Sequence, residues 1–272
     1  MDIRLIAMDL DGTALQRDRC SFSPRLNAAL DAAQEKGIHI VPITGQQYGM
    51  LPPAVQGHPK WENLVVLCNG GQIRRLATGE ALYEKNISSD ALQQLLGLSQ
   101  ELEIPLECST DSVLHLTQRS YDQQLPIEAL RFHRDTILRH HGKIVPSLAP
   151  LCGKGAEKAQ LPHIPTHLKA RVEEAMNAIP VSAVWVSANS MEITHVDAKK
   201  GIVLKEICRI LDISMENVLA LGDSGNDETM LRQAGLGVAM GNAPDFVKAA
   251  AKAVTETNAN DGAAIAIERY VL

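Results

Sequence analysis

Asp9 and Asp11 close the first apolar run of the chain, IRLIAMDLDGT over residues 3–13, with Gly12 directly after them. Two carboxylates this close are costly unless a cation neutralises them, and oxygen ligands suit a hard ion such as Mg²⁺. A carboxylate can also act as a nucleophile toward phosphorus, dividing one hard displacement into two easier ones. Residues with matching chemistry lie far down the chain. Thr44 and Gly45 end a second apolar run, HIVPITG, and a hydroxyl with backbone N–H groups can hold transferring oxygens. Lys200 opens KGIVLKEI and supplies a fixed cation against phosphate charge. Asp223, Asn226 and Asp227 stand together in LALGDSGNDETML. Each also has a plainer reading. Thr44 could cap the next segment, and the Asp223–Asp227 stretch could be a polar loop capping the next helix.

The elements that must position these residues are legible in the pattern. The run before Asp9 lacks polar alternation, as in a strand buried on both faces of a parallel sheet. Ser23-Pro24 reads as a helix start, with Leu26, Ala29, Leu30 and Ala33 on one face and Lys36-Gly37 as its stop. Ile38 to Ile43 forms the second strand, so strand, helix and strand imply a right-handed crossover and a parallel pair. Thr44 then lands at the same sheet edge as Asp9, where open α/β sheets bind ligands. Pro52, Pro53, Gly57 and Pro59 punctuate a loop-rich interval, Leu64–Cys68 reads as a third strand, and a hairpin is expected through Ala77-Thr78-Gly79.

Residues 85–193 change character. A helix follows Ser88, a strand covers Val113–Thr117, a mixed helix spans about 127–141, and Thr166 caps another helix. Two strands joined near Asn189 end the block, which implies antiparallel pairing. From Lys200 onward strands and helices alternate again. The expected fold is α/β: a doubly wound, parallel, Rossmann-like sheet over 1–84 and 194–272, with an inserted α+β cap over 85–193.

Composition narrows the function. The net charge of −6 argues against binding to a phosphate backbone, so no nucleic-acid partner is expected. The nearest basic cluster, Arg131, His133, Arg134, Arg139, His140, His141 and Lys143, reads as a solvated helix face or as a cap surface meeting an anionic substrate. The five cysteines are scattered and lack metal spacing, as ordinary thiols in a reducing cytosol. No basic-then-apolar leader and no run near the ~18 residues needed for a span are seen, so a cytoplasmic protein without membrane partners is expected.

The pattern Asp9-x-Asp11-Gly12-Thr13, followed in order by Thr44, Lys200 and Gly222-Asp223 with Asn226-Asp227, resembles the signature of the haloacid dehalogenase superfamily of phosphotransferases. The segment LALGDSGNDETML and the tail after Ala234 are similar to the Cof-type hydrolase branch. The resemblance is strong over 1–80 and 195–272 and weak between, as for that family's variable cap. It implies Asp9 as nucleophile and metal ligand. It implies Asp11 as general acid and then base, ligating the metal through its backbone carbonyl. It further implies Asp223 as second side-chain metal ligand, Asp227 behind it holding Lys200 or a metal-bound water, and Thr44, Gly45, Lys200 and Asn226 around the phosphate. Gly201 aligns Lys200, rather than Lys199, with the family pattern. One departure stands out: the family usually has arginine after Thr-Gly, and this chain has Gln46.

The implied function is a Mg²⁺-dependent phosphatase of small phosphomonoesters, sugar phosphates or similar metabolites, acting through an aspartyl-phosphate as a monomer or small homo-oligomer. The cap is expected to close over the crevice. The competing readings are a phosphomutase acting on sugar phosphates and a non-catalytic, phospho-accepting regulator on the same scaffold.

Overall fold

The first apolar run forms a strand, Leu5–Met8, buried at every position. In the computed structural model, which describes residues 2–56 and 64–272, it is central to a sheet ordered Ala253–Val254, Leu236–Ala239, Val218–Gly222, Leu5–Met8, His39–Pro42. Every neighbouring pair in that order is parallel. Leu64–Leu67 continues the edge through a parallel bridge from Ile43 to Val66, then turns into antiparallel Gln72–Arg75 and Ala81–Glu84. In that hairpin Ile73 faces Tyr83. Gly57 and Pro59, read from the sequence as loop punctuation, lie outside the described residues.

Alternation along a strand sends successive side chains to opposite faces. Leu5, Ala7, Val41, Val218 and Ala220 accordingly join one core cluster with Val203, Leu204 and Ile207 of helix Lys200–Leu211 and Met230 and Leu231 of helix Glu228–Gln233. Helices Pro24–Glu35 and Gly262–Tyr270, outside that cluster, pack on each other. Each fully buried aliphatic side chain stabilises the fold by roughly 1.5–3 kcal/mol on leaving water. Helix Pro24–Glu35 starts as its sequence dictates. Ser23 Oγ accepts the Leu26 N–H at 3.0 Å, proline occupies the first turn, and Leu26, Ala29, Leu30 and Ala33 are the buried face.

The chain divides into two compact units. The first comprises Met1–Gln46, Leu51–Glu84 and Lys199–Leu272, and the second Gln47–Met50 and Lys85–Ala198. The second is α+β. Its sheet runs Val181–Ser187, Ser190–His195, Lys158–Leu161, Glu107–Thr110, Val113–Thr117, Gly142–Val145. The pairs are antiparallel except the last, which is parallel. Helices Ser89–Glu101 and Lys169–Ala178 contribute Leu92, Leu95, Val172 and Met176 to its core.

Three local expectations are corrected here. Glu107–Thr110 is a strand that the sequence reading omitted. The stretch 127–141 is not one mixed helix: short turns at Glu128–Leu130 and His133–Leu138 lead into a single helical turn at Arg139–His141. Thr166 does not cap its helix, because the turn Thr166–Leu168 precedes it. All five cysteines are free. Among the described residues no helix is long and apolar enough to cross a membrane.

Candidate active site

Asp9 follows directly on its strand, and its N–H donates to Leu221 O at 3.0 Å on the parallel neighbour. Residues from the beginning and the late part of the chain thereby meet at the carboxyl ends of two adjacent parallel strands. Leu221 is followed by Gly222, the last residue of its strand, and then by Asp223. Gly12 makes the approach possible. It adopts φ +80°, and a Cβ there would sit 2.8 Å from the carboxyl carbon of Asp223. Only glycine meets both demands. Asp223 is then fixed by both oxygens: Thr13 Oγ1 donates to Oδ1 at 3.0 Å, and Asn242 Nδ2 donates to Oδ2 at 3.2 Å and to Gly12 O at 2.9 Å.

Lys200, the first residue of its helix, is fully buried, whereas Lys199 is exposed. Its Nζ lies 2.5 Å from Asp9 Oδ1 and 2.6 Å from Asp227 Oδ1. The other oxygen of Asp227 accepts the N–H groups of Asp223 at 3.0 Å and Ser224 at 2.9 Å, so Asp227 braces the Asp223 loop while holding the lysine. These are charge-assisted bonds on both sides, stronger than neutral ones.

Thr44 is buried, and its hydroxyl accepts the Gln46 N–H at 3.1 Å. Gly45, between them, is partly exposed. Asp11 is exposed, and Gln46 Nε2 donates to its Oδ2 at 2.9 Å. Asn226 has both ends of its amide engaged: Nδ2 donates to Asn69 Oδ1 at 2.9 Å, and Oδ1 accepts from Ser224 Oγ at 2.6 Å. Asn69 lies in a turn of positive φ running through Cys68, Asn69 and Gly70 at 52°, 57° and 107°. Such strain persists only where surrounding structure enforces it.

The electrostatics follow from burial. Asp9 is raised well above the ordinary carboxylate range, first by burial, with Lys200 opposing and Asp227 adding to the rise. Asp223 is pushed up to about 6 by burial and then by Asp227, with Thr13 and Lys200 opposing. Burial alone would lower the Lys200 ammonium, but Asp227 and Asp9 outweigh it and hold the lysine above its usual value. One buried ammonium therefore does not neutralise the acids around it. Oxygens of Asp9, Asp223 and Asp227 lie within 4.8 Å of one another. This excess of buried negative charge on hard oxygen donors fits a divalent cation. Asp227 is already committed to Lys200 and two backbone N–H groups, so Asp9 and Asp223 are the side chains best placed to ligate.

The structure thus brings Asp9, Asp223, Asp227 and Lys200 into one cluster, with Asp11, Thr44 and Gly45 on the adjoining loops and Asn226 on the Asp223 loop. Sequence reasoning missed Thr13, Asn69, Ser224 and Asn242. Thr13 was the one with a signal, since it sits in the same five-residue pattern as the two aspartates.

The model of the haloacid dehalogenase-like hydrolases matches residues 6–267. A putative phosphatase, YxeH, of Bacillus subtilis is 31% identical over 279 residues, covering 99% of this chain and 98% of its own. The 5-amino-6-(5-phospho-D-ribitylamino)uracil phosphatase YcsE of the same organism is 29% identical over 276 residues, covering 100% and 97%. Among solved structures, a haloacid dehalogenase-like hydrolase from B. subtilis superposes with a TM-score of 0.82 at 26% identity, covering 98% of this chain and 100% of that one.

Proposed function

This chain belongs to the haloacid dehalogenase-like hydrolases and is a phosphoric monoester hydrolase; from that premise we propose a Mg²⁺-dependent phosphatase of small sugar phosphates or similar metabolites, working in the cytoplasm through an aspartyl-phosphate. The observation that carries the reading is the buried Lys200 ammonium at 2.5 and 2.6 Å from Asp9 and Asp227, with Asp223 braced beside them. A carboxylate so flanked is held in place and shielded from the repulsion that an anionic phosphate would exert.

Asp9 Oδ attacks phosphorus and the bond to the leaving alcohol breaks, with Asp11 delivering a proton to that oxygen. Asp11 then takes a proton from water as its oxygen attacks phosphorus, which frees Asp9 and inorganic phosphate. Such acid–base help contributes typically ~10²–10⁴ in rate. Thr44, Gly45, Lys200 and Asn226 hold the phosphoryl oxygens, and Asp227 keeps Lys200 in place. Asp9, Asp223 and the backbone carbonyl of Asp11 would hold Mg²⁺, which supplies charge neutralisation at the phosphate. The ribityl phosphate acted on by YcsE supports a small, hydroxyl-bearing substrate.

A phosphate-release screen across sugar phosphates and other metabolites, with and without Mg²⁺, tests the reading. Release is expected only with the ion, and Asp9→Asn is expected to lose on the order of 10³-fold or more while keeping its fold. Isomer formation from a sugar bisphosphate without free phosphate would transfer the assignment to a mutase. A long-lived acyl-phosphate without turnover would transfer it to a regulator.

A further inference from the structure

Gln46 occupies a position built to present its side chain. Its N–H donates to Thr44 Oγ1 at 3.1 Å, and its carbonyl accepts the Cys68 N–H at 2.9 Å, so the backbone is tied on both sides. At the other end of the residue, Nε2 donates to Asp11 Oδ2 at 2.9 Å. A carboxylate only accepts, so the NH₂ end of the amide must face Asp11 and the carbonyl end must not. That carbonyl oxygen, Oε1, is buried and has no hydrogen-bond partner among the described residues. A buried acceptor left unpaired is costly, so a donor arriving with a ligand is favoured there.

We propose that Gln46 reads the leaving group: its NH₂ holds Asp11, and its carbonyl oxygen accepts a hydrogen bond from a hydroxyl of the departing alcohol. This rests on the phosphatase reading, in which Asp11 gives its proton to that alcohol, so the amide bonded to Asp11 flanks the leaving group. The chemistry differs from that of an arginine at the same point. A guanidinium has five donors and no acceptor. It would hold Asp11 and welcome carboxylates, but could not accept from a hydroxyl. Glutamine does both, so this chain favours phosphomonoesters of polyols and sugars over esters of plain alcohols.

The test separates the two ends of the amide. Glycerol 3-phosphate and ribose 5-phosphate are compared with n-propyl phosphate, an alkyl ester without further hydroxyls, by phosphate release in Mg²⁺. The readout is the ratio of kcat/KM values. Wild-type protein is expected to prefer the hydroxylated esters. Gln46→Met, which removes both donor and acceptor, and Gln46→Arg, which keeps a donor, are both expected to lose about tenfold of that preference. Against an aryl phosphate, Gln46→Met is expected to penalise all alkyl esters, because Asp11 is no longer held, whereas Gln46→Arg keeps the wild-type ratio of aryl phosphate to n-propyl phosphate. A hydroxyl preference that survives in both variants would overturn the inference while leaving the phosphatase reading intact. A wild type that releases phosphate from no member of the panel would overturn both.

Discussion

Lys200 carries a burden at the residue scale that its sequence position alone would not reveal. It is among the largest fully buried side chains of the chain, and it bonds two carboxylates at once. Removing one partner of a buried ionic group leaves the others uncompensated, which typically costs about 3–5 kcal/mol. Lys200→Met is therefore expected to lower the unfolding free energy by about that amount and to abolish turnover. Adding Asp227→Asn should recover part of the stability, since one orphaned charge is removed, but none of the activity. Urea unfolding of the single and double variants checks this; additive losses would show that the two side chains are not coupled. What could be read from the sequence at this scale was set by chemistry of type. Aspartates at strand ends and a lysine opening a helix announce themselves, because charged residues there need a reason. Asn69 and Asn242 did not, because an asparagine in a loop is the ordinary residue of turns.

At the scale of elements, legibility followed the apolar pattern. Helix Pro24–Glu35 was readable in its cap, its proline and its buried face because all three signals agree. Strand Glu107–Thr110 was not, since its sequence is Glu-Cys-Ser-Thr and yet every residue is buried. Its burial is made tolerable by partners from other elements: Gln124 Nε2 donates to Glu107 Oε1 at 2.8 Å, and His133 Nε2 lies 3.0 and 2.9 Å from its two oxygens. No local pattern encodes such long-range satisfaction. The turn through Cys68, Asn69 and Gly70 makes the same point and yields a prediction. A Cβ at Gly70 would lie 2.8 Å from the carbonyl oxygen of Lys199 and 2.9 Å from its carbonyl carbon, at φ +107°. Gly70→Ala is expected to cost about 1–3 kcal/mol in backbone strain. It should also reduce kcat, because the displaced backbone leads directly into Lys200. Ser23→Ala provides the contrast, losing about 1 kcal/mol with its helix cap and no activity. Equal stability losses with equal activity in the two variants would sever the turn from the site.

For the whole molecule, the consequence of gathering acids from the beginning and the late part of the chain is that pH and metal act on stability in opposite senses. Asp223 titrates at about 6 in the folded protein, above the 3.8 of a free aspartate. Asp9 is shifted in the same direction. A folded pKa above the unfolded one means that the native state binds the proton more tightly. The stability contributed by that proton is full below about pH 4 and is lost as pH rises through about 6. For Asp223 this amounts to at most about 2–3 kcal/mol, since one unit corresponds to 1.36 kcal/mol. A divalent ion reverses the dependence, because it binds the ionised carboxylates and must displace the proton below pH 6. Its affinity is expected to fall at least about tenfold per pH unit there, and with it the stabilisation, which is about 2.7 kcal/mol when the ion stands at a hundred times its Kd. Unfolding curves between pH 4.5 and 7.5, with Mg²⁺ and with chelator, should therefore diverge as pH rises: the metal-free protein loses ground from these two acids while the metal-loaded protein gains it. Curves that stay parallel across that window would mean that the ion does not bind through Asp9 and Asp223, and the proposed use of those carboxylates would fail with them.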